Sequence, residues 1–248
     1  MNFSKLTLPA VACVALASGG ALLMGAGPSW GESQSGAVKT EAPAADAKKP
    51  EAGDKKAEAA APAPVETPKT DWTPDDITEM VLGNPDAPVT VTEYASFTCP
   101  HCASFHQNQF KELKRDYIDT GKVKLVYRDV YFDRIGLWAA MVARCDTDKF
   151  FGIADLIYSK KDEWLNSRDP VVLAANLRKL GVVAGLAPEK VDACMQDASK
   201  AKALYDWFEI NANKDQIEST PSLLINGKLH SNMAYGELKD LIEAELGS

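Results

Sequence analysis

Glu93-Tyr94-Ala95-Ser96-Phe97-Thr98-Cys99-Pro100-His101-Cys102 decides the reading of this chain. It lies where one structural period gives way to another. Before it, Val89-Thr90-Val91-Thr92-Glu93-Tyr94-Ala95 is rich in β-branched residues and free of breakers, which predicts a strand. After it, Phe110, Leu113 and Tyr117 recur three and four apart, which predicts a helix from Pro100 to Tyr117. Cys99 therefore stands at a helix start. A helix start offers free N–H groups and partial positive charge, and both favour a thiolate. Pro100 fits the first turn, where no N–H is needed. His101 adds a donor and, when protonated, a charge. Two intervening residues put Cys102 one turn along, able to attack a mixed disulfide formed at Cys99. Stabilising the Cys99 thiolate favours the reduced pair, so its disulfide is an oxidant.

The rest of the chain frames this motif. Asn84-Pro85-Asp86-Ala87-Pro88 is turn chemistry, with a short strand expected over 79–82 ahead of it. Gly121 ends the helix, and 122–130 alternates Val123, Leu125 and Tyr127 as a second strand. Residues 137–214 form a long helical block. Ser222-Leu223-Leu224-Ile225, the turn Asn226-Gly227 and a return strand over 228–230 predict a hairpin. A helix over 235–246 places Leu238, Leu241, Ile242 and Leu246 on one side. The order is that of one α/β domain carrying a helical insertion. Pro221, in Ser219-Thr220-Pro221-Ser222, opens a strand and cannot donate to its ladder. A cis bond there would leave neighbouring backbone groups free to pair with an extended substrate. The residues alone leave cis and trans open.

The chain has 248 residues, 46% hydrophobic and 25% charged, enough for one sizeable domain. Its net charge of −8 disfavours a nucleic-acid binder. All of that charge falls in residues 71–248; residues 1–70 hold seven Lys and seven acidic residues. Residues 1–30 read as a signal peptide, with Lys5 followed by an apolar run to Gly27; an uncleaved N-terminal membrane anchor is the alternative. Cys13 within it is a poor match to a lipidation site. Residues 31–70 are rich in Ala, Pro, Lys and Glu and read as a disordered linker. Residues 71–248 are the folded domain. Five cysteines leave four outside the leader.

Cys99 to Cys102, together with Thr220-Pro221 and Leu224-Ile225-Asn226-Gly227-Lys228, closely resembles the DsbA-like thiol:disulfide oxidoreductases of the thioredoxin superfamily. The resemblance covers residues 77–246 and implies a thioredoxin fold with a helical insertion domain. It implies that Cys99 is the attacking sulfur and Cys102 the buried resolving one. Pro221 would be cis, with Thr220 beside the substrate. Glu93 would be a buried acid relaying the Cys102 proton, against the alternative of an exposed edge-strand charge. One departure stands out: the family's Lys on the next strand is Tyr127 here. Cys145 and Cys194, 49 residues apart, are expected to pair in an exported protein, and some members are similar in carrying a second bridge; two buried thiols are the alternative.

The function so implied is a periplasmic oxidase, free or tethered to the inner membrane. It would act as a monomer on reduced or unfolded exported proteins, without a cofactor, and be reoxidised by a DsbB-type membrane partner. Phe97, Phe105, Met233 and Tyr235 are candidate apolar surface contacts, with a core position the alternative for any of them. An isomerase or reductase on the same fold is the first rival. A metal chaperone using Cys99, Cys102 and His106 is the second. Haem attachment is excluded because Ala103, not His, follows Cys102.

Overall fold

Val89–Ala95 (β2) is the strand on which the domain is built. The computed structural model describes residues 69–247, so the expected leader, the linker up to residue 68 and Cys13 lie outside the described residues. Among the described residues, no helix is long and apolar enough to cross a membrane. β2 pairs in parallel with Val123–Asp129 (β3), and antiparallel with Ser222–Ile225 (β4). Met80–Leu82 (β1) extends the sheet beyond β3, and Lys228–Ser231 (β5) beyond β4. The sheet order is β1-β3-β2-β4-β5.

A parallel pair needs a long crossover. Pro100–Gln107 (α1) and Gln109–Leu113 (α2), followed by one π turn over Lys114–Ile118, supply it. The single helix expected over 100–117 is thus interrupted. Asn108 leaves helical geometry at φ −121°, and its side-chain amide donates to Ser104 O at 2.8 Å. Such a side chain competes with the helix ladder for the same carbonyl. Phe105, Phe110, Leu113 and Tyr117 pack with Val89, Val91, Leu125 and Leu223 of the sheet. Tyr235–Leu246 (α9) adds Leu238 and Ile242 to the same cluster.

The turn between β1 and β2 holds Gly83 at φ +100°, a conformation that favours glycine. A Cβ there would lie 2.8 Å from Ile118 Cγ2. Asn226 in the β4–β5 turn also has positive φ, at 45°. Its side chain is held at both ends. Thr90 N–H donates to Oδ1 at 2.9 Å, and Nδ2 donates to Glu245 at 2.9 Å.

The insertion starts at 134 rather than 137, because Asp133 accepts from Gly136 N–H and caps Arg134–Ala143 (α3). Phe150–Ser159 (α4), Lys161–Trp164 (α5), Pro170–Val183 (α6), Pro188–Gln196 (α7) and Ala198–Lys214 (α8) follow. Their largest buried side chains, Trp164, Tyr158 and Phe150, form one core with Ala95, Phe97 and Tyr127 from the sheet side. The two lobes therefore share a core beneath the end of β2. Cys145, just after α3, and Cys194 in α7 form a disulfide with a Cα–Cα separation of 5.7 Å. Arg144 reaches back to the sheet, donating to buried Asp129 at 2.6 Å and to Thr78 O at 2.8 Å.

Two stability predictions follow from these ties. Replacing Arg144 by Met strands the Asp129 carboxylate and should cost about 3–5 kcal/mol. Lys114→Met, which removes an exposed pair with Asp119, should cost under about 1 kcal/mol. Urea unfolding of both variants checks the contrast. Replacing Cys145 and Cys194 together by Ala should cost about 4 kcal/mol by loop closure over 49 residues, read in the same assay.

Candidate active site

Cys99 is the N-cap of α1, in extended geometry (φ −73°, ψ 124°), with Pro100 at the first helical position. Its carbonyl accepts the first helical bond, from Ala103 N–H at 3.2 Å. Cys102 sits in the first turn and is fully buried; Cys99 keeps 9% exposure. Both sulfurs are free thiols. Only Cys99 is placed to meet a partner from outside.

The Thr220–Pro221 peptide bond is cis. Ser222 pairs with Tyr94 near the end of β2, so the loop ahead of β4 comes alongside Cys99. The Cys99 thiol donates to Thr220 O at 3.6 Å. Thr220 Oγ1 is buried and has no hydrogen bond of ordinary geometry, so its pull on the sulfurs is secondary.

The two thiols are driven apart. A hydrogen bond from the Cys102 thiol is the largest influence on Cys99 and lowers its pKa to about 5, against the opposing effect of burial. Thr220 and the N–H groups of Cys102 and His101 at the helix start lower it further. The same interaction with Cys99 pushes Cys102 far above the ordinary thiol range, and burial and the Glu93 charge add to it. The expected helix-start effect is therefore present but second to the partner thiol. His101 acts through its backbone N–H, with its side chain exposed.

Glu93 lies in the middle of the sheet, not at an edge, and is fully buried. It stands opposite Tyr127 on β3 and Leu223 on β4. Tyr127 does not replace the missing lysine, because its hydroxyl bonds that of Tyr158 at 2.7 Å. Instead His106 Nε2 lies 3.0 and 3.1 Å from the two Glu93 oxygens. His106 is thereby drawn away from the proposed Cys99, Cys102 and His106 metal site. Among the described residues, no group of three or more His, Cys, Asp or Glu could hold a metal ion.

An open cleft of about 440 Å³ borders Cys99, lined by Thr98, Pro100, Phe132, Asp133, Ile135 and Leu165. Phe132 is 61% exposed. Thr98 donates to Asp133 at 3.0 Å, which ties the cysteine loop to the start of α3. Sequence reading missed Phe132, Ile135 and Leu165. Their one signal was an apolar residue beside Asp133 in the linker to the insertion. Of the apolar contacts it did nominate, Phe97 and Phe105 are core residues at 1% and 0% exposure. They face inward because the strand end and α1 close over them. Met233 and Tyr235 are half-buried against the α2–α9 side, with Tyr235 donating to Asp116 at 2.6 Å. Cys145 and Cys194 lie in the insertion, apart from the cleft lining.

Sheet order, helix-start cysteines and the cis-proline loop define the thioredoxin class of fold, interrupted by a helical insertion. A family model described as thioredoxin matches residues 75–244. A Rickettsia conorii relative, provisionally named a protein-disulfide oxidoreductase, is 35% identical over 173 residues, covering 69% of this chain and 61% of its own. The chain thus spans about three fifths of the length of the Rickettsia relatives it matches. Disulfide bond formation protein D of Bacillus subtilis is 31% identical over 178 residues, covering 68% of this chain and 77% of its own. The crystal structure of Wolbachia pipientis alpha-DsbA1 superposes with a TM-score of 0.62 at 27% identity, over 68% of this chain and 91% of that one. The chain belongs to the DsbA-like thiol:disulfide oxidoreductase family.

The thiolate absorbance of the reduced protein should fall in a single step as pH drops through about 5, and Cys99→Ser should abolish the step. The sign follows from a depressed folded pKa: ionisation of Cys99 stabilises the reduced form above the ordinary thiol range, and that stabilisation is lost as pH falls through 5. A step near an ordinary thiol value would contradict the assignment.

Proposed function

We propose that this protein is a disulfide donor, oxidising reduced or unfolded exported proteins in the periplasm. The observation that carries the reading is the split between the two sulfurs, with Cys99 held as thiolate above about pH 5 and Cys102 held as thiol. A thiolate stabilised at neutral pH favours the reduced dithiol, so the disulfide form gives up its bond readily. Attack by a substrate thiolate on Cys99 forms the mixed disulfide and sends the electron pair of the S–S bond to Cys102. A second substrate thiol then attacks its own sulfur in that mixed disulfide. Cys99 leaves as a stable thiolate and the substrate keeps the disulfide. The cis-Pro221 loop offers backbone groups for an extended chain, with Thr220 beside the reacting sulfur. The cleft around Phe132 offers apolar contact to unfolded sequence.

In this reading Cys99 and Cys102 are the reacting residues, with Pro100, His101 and Glu93 shaping their chemistry. The Cys145–Cys194 bridge is structural. Re-oxidation falls to a quinone-linked membrane protein of the DsbB type, and the protein works as a monomer, exported and either free or held at the inner membrane.

Oxidative refolding of a reduced, unfolded ribonuclease tests the proposal. The wild-type disulfide should drive activity recovery, and Cys99→Ser should be inactive. Cys102→Ser should fail to oxidise but trap a mixed disulfide when its Cys99 thiolate attacks a disulfide of oxidised, unfolded ribonuclease and expels the other sulfur as thiolate. The measured potential should lie well above the roughly −270 mV of thioredoxin. Rapid unscrambling of a mispaired ribonuclease with weak oxidation would assign the isomerase role instead.

A further inference from the structure

We infer that His106 is a positioning residue for the resolving cysteine, sharing with Glu93 the proton that Cys102 gains and loses. The inference rests on the thiol-exchange reading and adds to it a residue outside the Cys-Pro-His-Cys motif. His106 follows Cys102 by four residues on α1, so both side chains leave the same face of the helix. That face meets β2 at Glu93. The imidazole spans both carboxylate oxygens at 3.0 and 3.1 Å, with His106 at 4% and Glu93 at 0% side-chain exposure.

Once Cys99 is engaged in a mixed disulfide, the other described groups facing the pair are poor proton acceptors. The titratable groups facing the pair are Cys102 on α1, Tyr127 on β3 and Tyr158 on α4. The His106 ring stacks on Tyr158, centroids 4.1 Å apart and planes at 16°, and meets Phe110 of α2 at 4.7 Å. Tyr127 and Tyr158 bond each other, and burial holds both hydroxyls well above their ordinary pKa, so neither accepts a proton near neutrality. Asp129 and Arg144 act on Tyr127 from beyond it and are paired with each other. Cys102 itself is fully buried.

The step balances. When Cys102 resolves a mixed disulfide, its sulfur forms the bond to Cys99, and the Cys99–partner bond breaks. The partner leaves as thiolate, and the Cys102 proton passes to the Glu93–His106 couple. In disulfide donation the couple returns that proton to Cys102 as it leaves. With a neutral imidazole the couple carries one negative charge and is a base; with the added proton it is neutral overall. An imidazole in contact with a carboxylate can both accept and return a proton.

Stopped-flow mixing of the reduced full chain with the aromatic disulfide dithiobisnitrobenzoate separates the two sulfurs. The first coloured thiolate is released by Cys99 attack at a rate set by reagent concentration. The second is released by Cys102 at a rate independent of it. In the wild type the second phase should rise with pH and then level off, as resolution by a base requires. In His106→Gln the second phase should slow about tenfold or more at neutral pH and lose that limb, with the first phase unchanged. A wild-type second phase that is flat with pH overturns the inference whatever the variant does. So does a variant with wild-type resolution, or one slowed equally in both phases. Absence of both phases in the wild type would overturn the thiol-exchange reading itself.

Discussion

The pairing of β4 with β2, Ser222 opposite Tyr94, is the constraint on which the site depends. It carries the chain ahead of β4 past the end of β2. There the cis Thr220–Pro221 bond sets the Thr220 carbonyl 3.6 Å from the Cys99 sulfur. The parallel β2–β3 pair fixes the other side, because its crossover must begin with a helix directly at the end of β2. Cys99 is caught between these two requirements. A slip of either strand by one residue would exchange the side chains of its two packed faces and dissolve the arrangement.

Burial then distributes the chemistry. One cysteine keeps a small exposure beside the cleft, and its partner lies fully inside. A carboxylate in the middle strand would be costly to bury alone, and the imidazole from the adjoining helix satisfies it. The same lobe boundary is bound by Arg144 and Asp129, so a histidine–carboxylate hydrogen bond and an ion pair tie helices to the central strands. Charge is thereby held at two depths, one beneath the reacting pair and one at the root of the insertion.

Much of this was legible in sequence. Cys99-Pro100-His101-Cys102 at a strand-to-helix junction and the Asn226-Gly227 hairpin carry local rules that tertiary context did not override, whereas the cis bond at Thr220-Pro221 was open on the residues alone and followed only from the family resemblance. The helical block was legible from length alone. What escaped depends on contacts distant in sequence. Phe132, Ile135 and Leu165 come from separate segments and meet only because Asp133 ties the insertion to Thr98. His106 shares a helix face with Cys102, so a metal role was open on spacing alone. Only packing against β2 assigns its nitrogen to Glu93. Phe97 and Phe105 were open between surface and core because aromatic residues near a reactive motif look the same inside and out in a one-dimensional pattern, and packing places both in the core.

The β4–β5 turn has a chemical as well as a geometric character. An asparagine followed by glycine is ordinarily the weak point of an ageing polypeptide, because the glycine nitrogen can close onto the side-chain amide and leave aspartate or its isomer behind. At Asn226 both ends of that amide are held, Oδ1 by Thr90 and Nδ2 by Glu245. Cyclisation would have to break both contacts and rotate the amide over Gly227. The bonds that set the hairpin's register thus also slow its deamidation, giving the edge of the sheet a longer chemical lifetime than its dipeptide would have in an open loop.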